Sequence, residues 1–377
     1  IGLDARRGVF YVSEVTGGEI SRGRVDAPDA REWLGGNDTD GPNKWKQIFL
    51  ADGGYSAEAF LNTNTVYAST QNAGFLQSTD GGATFSSTTL GRSGSFSFIT
   101  PMLMDPSDPA RLYTGGSLLL RSDKMTFWNN LGSPQNVSLS SGLVSALAVA
   151  QTDANYALIG LSDGAIVRTT RALALSSINQ LSATFESFAR PRTGAVSWVA
   201  FDPNDKNIAY ATYSTFGNAH VWKTTNAGQS WTAIDGTGGA GIPDIPVHCV
   251  VVDPSSSARL YVGTDLGVFV SLDGGATWTV ENTGFANVVT ESLVLNVANG
   301  VTSLYAFTHG RGAFKVTANN SGCNFALSKT GSTVAAAGSD LTVDVTVVPG
   351  GCAWRAESNV PWVTLQPGAG GSANGTV

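Results

Sequence analysis

One phrase returns along this chain, and it constrains the fold more than any other feature. In its clearest form it runs Val252-Asp253-Pro254, a turn, Leu260-Tyr261-Val262-Gly263-Thr264, a second turn, Gly267-Val268-Phe269-Val270, and then Ser271-Leu272-Asp273-Gly274-Gly275-Ala276-Thr277-Trp278. Versions run from Phe201-Asp202-Pro203 to Trp231 and from Met104-Asp105-Pro106 to Trp128. Further copies pass through Val66-Tyr67-Ala68-Ser69 to Phe85, through Tyr156-Ala157-Leu158-Ile159-Gly160, and through Leu304-Tyr305-Ala306-Phe307-Thr308. Trp33-Leu34-Gly35-Gly36 reads as the first copy. The "Leu-Tyr" strands begin near residues 33, 66, 112, 157, 209, 260 and 304, at spacings of 33 to 52 residues. Short Val/Tyr/Leu/Ile/Phe runs bounded by Gly, Asp and Pro are strands, and repeats of roughly 40–50 residues with several strands each are those of a β-propeller.

The sequence therefore predicts an all-β fold. Residues 1–317 are expected to form a seven-bladed β-propeller of four-stranded blades, and residues 318–377 a small β-sandwich domain that stops early at its C-terminal end. The last unit runs through Ala313-Phe314-Lys315-Val316 and enters that domain without an Asp-type turn motif. Residues 8–16 read as a strand and are expected to complete the last blade.

Composition narrows the setting. Charged residues make up 14% of the chain and there are 45 Gly, against roughly 25% charged residues in average soluble domains. Low charge with many Gly, Ser and Thr turns fits a secreted all-β protein, placed extracellularly, at the cell surface or in the periplasm. The net charge of −7 leaves no basic footprint for nucleic acid. No apolar run reaches the ~18 residues of a membrane span. The sequence begins at Ile1 and reads as a mature or partial chain. Three scattered His give no metal-ligand spacing, so no metal and no cofactor is expected. Cys249 lies alone in an apolar strand and reads as a buried small hydrophobe. Cys323 and Cys352, which bracket the start of the last segment, are a candidate disulfide suited to an oxidising compartment. The oligomeric state is left open.

The end of the phrase, Ser/Thr-x-Asp-x-Gly-x-Thr-Trp/Phe, resembles the Asp box (BNR repeat) of sialidases, sortilin-like receptors, xyloglucanase-like hydrolases and photosystem assembly-factor propellers. Two copies are complete: Ser78, Asp80, Gly82, Thr84, Phe85 and Ser271, Asp273, Gly275, Thr277, Trp278. A third reads Thr224, Asn226, Gly228, Ser230, Trp231, and the copy at Asp123 and Trp128 has Met125 where Gly belongs. Such a carboxylate accepts backbone N–H bonds within its own turn, Gly takes a positive φ without steric cost, and the aromatic ring anchors the next strand. These Asp residues are therefore expected to be structural, as are Asp105, Asp202 and Asp253 in their Asp-Pro turns.

Chain geometry then sorts the loops. With the strands of a blade lettered A to D, A–B and C–D turns emerge on one face, and B–C turns and D–A crossovers on the other. The resemblance to Asp-box enzymes implies that chemistry lies opposite the boxes. The B–C loops hold Asn37, Asp38 and Asp40; Gln71 and Asn72; Asp163; Tyr213, Phe216 and His220; Asp265; and His309 with Arg311. The crossovers add Asp52, Arg92, Arg190, Arg192, Asp244 and Glu291. Asp38, Asp40 and Asp52 are the candidate catalytic carboxylates. Asn37, Tyr213, Phe216, His220, Asp265, His309 and Arg311 are the candidate ligand-binding residues.

The C-terminal segment, with Cys323, Cys352-Ala353-Trp354, Pro361-Trp362-Val363-Thr364 and Asn374-Gly375-Thr376-Val377, resembles BACON-like modules of bacterial extracellular and carbohydrate-related proteins. Trp354 and Trp362 either stack on sugars or pack a sandwich core. Two functions follow from these features. One is an extracellular binding or scaffold propeller for a polysaccharide or protein ligand. The other is a xyloglucanase-like glycoside hydrolase with paired Asp residues. Sialidase activity is disfavoured, because the Phe/Tyr-Arg-Ile-Pro motif is absent and no Tyr–Glu pair stands out. An assembly-factor role rests on blade count alone.

Overall fold

A computed structural model of the chain describes the strands within residues 2–50 and most residues from 53 onward. Left out are residues 1, 5–8, 15–18, 25–31, 35–45, 51–52, 63, 89–93, 124–127, 134–140, 174–184, 218, 237–239, 282–284, 286, 299–300, 310, 320–323, 330–337, 349–353, 357, 359–361, 366–369 and 372–373. Asn37, Asp38, Asp40, Asp52, Cys323 and Cys352 lie outside the described residues.

The chain divides into two compact units, Ile1–Asn296 with Ser303–Val316, and Val297–Thr302 with Thr317–Val377. The first is a β-propeller with four-stranded antiparallel blades. Six blades are each drawn from one continuous stretch of chain. The first joins β1 (Gly2–Asp4), β2 (Val9–Glu14), β3 (Glu19–Arg24) and β5 (Lys46–Leu50), with β4 (Glu32–Leu34) left out of it. The second is β6 (Gly53–Glu58), β7 (Val66–Thr70), β8 (Gly74–Ser78) and β9 (Ser86–Thr88). The third is β10 (Met102–Asp105), β11 (Asp108–Gly115), β12 (Leu119–Asp123) and β13 (Trp128–Gly132). The fourth is β14 (Val144–Ala150), β15 (Asp153–Leu161), β16 (Ile166–Thr169) and β17 (Phe185–Ser187). The fifth is β18 (Val196–Asp202), β19 (Asp205–Tyr213), β20 (Val221–Thr224) and β21 (Thr232–Ala233). The sixth is β22 (Val247–Asp253), β23 (Ser256–Thr264), β24 (Gly267–Ser271) and β25 (Thr279–Glu281).

The repeat phrase predicts a seventh unit of the same kind, and here the structure differs. The sheet of β26 (Thr290–Ala298), β27 (Val301–Thr308) and β28 (Gly312–Asn319) takes its outer strand from the N-terminal region. That strand is β4, paired Ala313↔Leu34, Phe314↔Trp33 and Lys315↔Glu32. Closure by residues 8–16 is thus corrected: Val9–Glu14 pairs with β1 and β3 inside the first blade. Its pairing with Glu19–Arg24 runs over six residues, so its edges are satisfied within that blade. Trp33-Leu34 likewise does not start a first unit of its own.

The core lies between blades. One cluster joins Tyr113, Leu119 and Leu131 of the third blade to Ile159, Leu161 and Val167 of the fourth. Equivalent clusters join the fourth to the fifth, the fifth to the sixth, and the sixth to Leu293, Leu304 and Ala306 beyond it. The Gly in "Leu-Tyr-x-Gly" follows from this packing. A Cβ on Gly160 would stand 2.5 Å from Val196 Cγ1, and one on Gly263 would stand 2.5 Å from the Thr290 carbonyl oxygen. The next blade approaches there closely enough to require a bare backbone.

In the second unit a three-stranded sheet joins β29 (Asn324–Leu327), β30 (Asp344–Val348) and β33 (Gly375–Thr376), and β31 (Trp354–Arg355) pairs with β32 (Gly370–Gly371). Val345 and Val347 are buried there with Val377 packed against them. The described residues do not form the expected clear sandwich: strands of two to five residues supply too little apolar face for two packed layers. Trp362 is 74% exposed and lies outside any core.

Candidate functional site

Hydrogen bonds between loops separate the two faces. On one, each acidic or degenerate C–D turn donates to the A–B side of its own blade: Gly81 N–H to the Asn64 carbonyl, Ala227 N–H to Asn207, and Gly274 N–H to Ala258. On the other, B–C turns donate to D–A crossovers: Asn72 N–H to the Phe98 carbonyl, Ser117 to Ser95, Ser162 to Leu143, Asp265 to Pro246 and His309 to Val289.

The Ser-x-Asp turns hold themselves. Asp80 Oδ1 accepts from Ser78 Oγ (2.7 Å) and Thr84 N–H (2.9 Å), Oδ2 accepts from Thr84 Oγ1 (2.6 Å), and Gly82 N–H donates to Ser78 Oγ. Asp273 repeats this set with Ser271, Gly275 and Thr277. Asn226 stands in with Thr224 and Ser230. The glycines at the shared position have φ of 76° (Gly82), 87° (Gly228) and 98° (Gly275). Thr84, through its hydroxyl and its N–H, and Ser78 hold the Asp80 carboxyl far below the ordinary carboxylate range. Thr277 and Ser271 bring Asp273 down to about 2. Trp128 and Trp278 are buried, Phe85 and Trp231 pack at the edge of apolar clusters, and the Trp278 indole donates to the Ile234 carbonyl of the preceding blade. The turn residues after Asp123 lie outside the described residues; Asp123 itself stands within ion-pair reach of Arg111 and Arg121.

The opposite face gathers charged and aromatic groups from the fourth blade onward. The innermost strands β14, β18 and β22 each open on a bulge, at Ser145, Ser197 and His248. A bulged residue has no cross-strand partner and is re-aimed. Ser145 Oγ donates to the Val196 carbonyl and Ser197 Oγ to the Val247 carbonyl, each reaching the next blade. His248 fills the same slot differently. Its Nε2 is 2.7 Å from Asp265 Oδ1, and its Nδ1 is 3.9 Å from Glu291 Oε2. His309 Nδ1 stands 3.7 Å from the other Glu291 oxygen. An imidazole thus lies between the carboxyl groups of Asp265 and Glu291.

A second cluster surrounds the turn after β19. Arg192 donates to the Thr215 hydroxyl (3.0 Å) and to the carbonyls of Phe216 (3.1 Å) and Ala219 (3.0 Å), and its guanidinium lies over the Tyr213 ring. From the other side, Asp244 Oδ1 accepts from Gly217 N–H at 2.7 Å. Tyr213 is buried, its hydroxyl donates to the Gly164 carbonyl, and burial pushes its phenol far above the ordinary range. His220 is 1% exposed. Asp235 accepts from the backbone N–H groups of His220 and Val221, and the His220 ring lies between Asp235 and Asp244. Its Nε2 is 3.1 Å from Asp244 Oδ1 without hydrogen-bond alignment. Arg190 pairs with Asp163 at 3.4 Å.

The sequence-derived candidates therefore separate by place. Tyr213 and His220 are interior supports of the turn. Phe216 is 66% exposed above them. Asp265 and His309 belong to the His248–Glu291 cluster, and Arg311 is exposed beside it in the chain. His248 and Asp235 were not singled out by loop topology, since both read as strand-flanking positions. The signal for His248 is the register it shares with Ser145 and Ser197. Among the described residues no group of three or more His, Cys, Asp and Glu is arranged to hold a metal ion, and no helix is long and apolar enough to cross a membrane.

The fold and this face define a β-propeller with four-stranded antiparallel blades. No protein-family model matches the chain. It is similar to a xyloglucanase from Hypocrea jecorina (strain QM6a), 32% identical over 188 residues, which cover 48% of this chain and 21% of that protein. The chain thus spans about one fifth of the length of the curated relative it matches. Among solved structures it resembles YCF48 bound to D1 peptide, with a TM-score of 0.50 and 13% identity over 82% of this chain and 88% of the other, a likeness of fold. The Niastella koreensis GH74 enzyme aligns at a TM-score of 0.36 and 15% identity over 89% of this chain and 58% of its own.

Proposed function

We propose that this chain is an extracellular, non-hydrolytic binding propeller that takes a carbohydrate ligand on the face opposite its Asp-box turns. One observation carries the reading. The five carboxylates described above on that face each stand beside a cationic, imidazole or N–H group of the protein: Asp163 by Arg190, Asp235 by the His220 and Val221 N–H groups, Asp244 by Gly217 N–H and His220, Asp265 by His248, and Glu291 between His248 and His309. Glycoside hydrolysis needs one carboxylic acid that keeps its proton, facing a second carboxylate across room for the sugar. Between Asp265 and Glu291 that room holds an imidazole. The carbohydrate class is supported by the similarity to a xyloglucanase.

The test is a pair of assays on the intact chain. Soluble xyloglucan is expected to retard the protein in affinity electrophoresis while reducing-end release stays at the buffer background. Release of reducing ends that Asp38→Asn, Asp40→Asn or Asp52→Asn abolishes would overturn the reading in favour of a glycoside hydrolase. That second reading is favoured by the same similarity to a xyloglucanase.

A further inference from the structure

Phe216 stands apart among the exposed apolar side chains. Among the described residues of the propeller unit Leu61 and Leu272 are more exposed, at 78% and 69%, but they are aliphatic and sit in turns on the Asp-turn face; Trp362, at 74%, belongs to the second unit. Phe98 (51%) and Leu266 (49%) share the face of Phe216. Among the described residues only Phe216 is an exposed aromatic ring whose own turn is fixed from two sides by side chains of other loops. Arg192, from the crossover before its blade, holds Thr215, Phe216 and Ala219 by three hydrogen bonds. Asp244, from the crossover after its blade, holds Gly217 N–H. Gly217 has φ +82° with nothing within 4 Å of where a Cβ would stand, so the backbone turns back beside open space. Beneath the turn, Tyr213 supports Arg192 and His220 stands against Asp244.

A large apolar ring left two-thirds in water is ordinarily free to reorient or fold down. Here four side chains of the protein, Arg192 and Asp244 with Tyr213 and His220 behind them, keep its turn in one place. Fixing an aromatic anchor before the ligand arrives removes the ordering cost from binding. We infer that Phe216 is a preorganised stacking platform for the apolar face of a pyranose ring, with Arg192 and Asp244 as its positioning residues. The inference rests on the carbohydrate-binding reading above. The surroundings select the sugar. A protein partner's hot spot sits within a contiguous apolar patch, whereas the residues flanking Phe216 are Ser214, Thr215 and Gly217. Asp244 and Arg190 remain partly exposed nearby in the same set of loops. A single ring among carboxylate, guanidinium and hydroxyl groups matches a pyranose, whose C–H face is apolar and whose rim is hydroxyl.

The experiment titrates soluble xyloglucan by affinity electrophoresis against the parent chain, Phe216→Ala, Phe216→Trp and Arg192→Lys, with thermal unfolding of each. Phe216→Ala is expected to weaken binding about tenfold or more with an unchanged unfolding midpoint. Phe216→Trp is expected to retain or strengthen it. Arg192→Lys keeps the charge and loses the fork; it is expected to weaken parent-type binding but not to weaken Phe216→Ala further, which a generally destabilised fold would not show. Equal binding by parent and Phe216→Ala overturns the platform and leaves the binding propeller standing. If the parent itself binds no xyloglucan, the carbohydrate reading falls and the platform with it.

Discussion

Asp105, Asp202 and Asp253 occupy one position in three blades, the end of the innermost strand before an Asp-Pro turn, and all three are buried. Each carboxylate accepts the N–H two residues on, from Ser107, Asn204 and Ser255. Their second oxygens differ. Asp105 Oδ2 receives Arg111 at 2.7 Å and Asp253 Oδ2 receives Arg259 at 2.8 Å, six residues downstream in both cases. Six residues after Asp202 stands Ile208, and Asp202 Oδ2 has no hydrogen-bond partner. Tyr210 lies close enough that burial, with the Asp202 charge adding to it, pushes its phenol up to about 12. A buried charge with a missing partner is a standing cost, while removing one member of a buried pair strands the other. The same substitution should therefore act unequally. Asp105→Asn is expected to cost about 2 kcal/mol, and Asp202→Asn less than about 0.5 kcal/mol, with a gain also consistent. Midpoints of urea unfolding check this, and equal losses at the two positions would refute it.

At the scale of elements, the closing sheet is the one whose making depends on distant sequence. Phe314 and Trp33 are register partners across β28 and β4, and the Cα atoms of directly opposed strand residues lie within disulfide reach. Trp33→Cys with Phe314→Cys is expected to oxidise to a crosslinked form that migrates faster on a non-reducing gel and unfolds at a higher temperature than its reduced form. Should β2 close that sheet instead, no such bond would form. The same comparison shows what sequence could reveal. The blades were legible because their signals are local: alternating apolar residues, Asp-Pro turns, and a Ser-x-Asp turn that makes its own hydrogen bonds. Closure was not, because Glu32-Trp33-Leu34 is a three-residue strand whose partner lies at the far end of the propeller, and no local pattern records that pairing. In the site, Asp163, Arg190, Arg192, Asp244, Asp265, Glu291 and His309 followed from turn topology alone. The burial of Tyr213 and His220 did not, since it depends on Arg192 and Asp244 arriving from neighbouring crossovers. His248 was hidden in a strand pattern, because a bulge leaves no mark in the alternation it interrupts.

At the scale of the propeller unit, the placement of the core decides how the blades share stability. Five apolar clusters are each built from neighbouring blades, so loosening one of these interfaces exposes the apolar surface of both neighbours. The two glycines at blade contacts measure this directly, because neither requires a positive φ and the substitution to Ala tests space alone. At Gly160 the added Cβ would meet Val196 Cγ1 at 2.5 Å, a methyl that χ1 rotation can move, and Val196 Cβ at 2.8 Å and Ala146 Cβ at 3.1 Å, which yield by a small strand movement. At Gly263 it would meet the Thr290 carbonyl oxygen at 2.5 Å and Cys249 Sγ at 2.8 Å, in a site where the opposing backbone must move. Gly263→Ala is therefore expected to cost about 3 kcal/mol and Gly160→Ala about 1 kcal/mol. In both variants, far-UV circular dichroism and tryptophan fluorescence should fall together in one transition for the propeller, because Trp128, Trp198 and Trp278 report from the third, fifth and sixth blades. A transition that splits, with one blade melting ahead of the rest, would show that the blades are held individually and that the shared cores do not couple them.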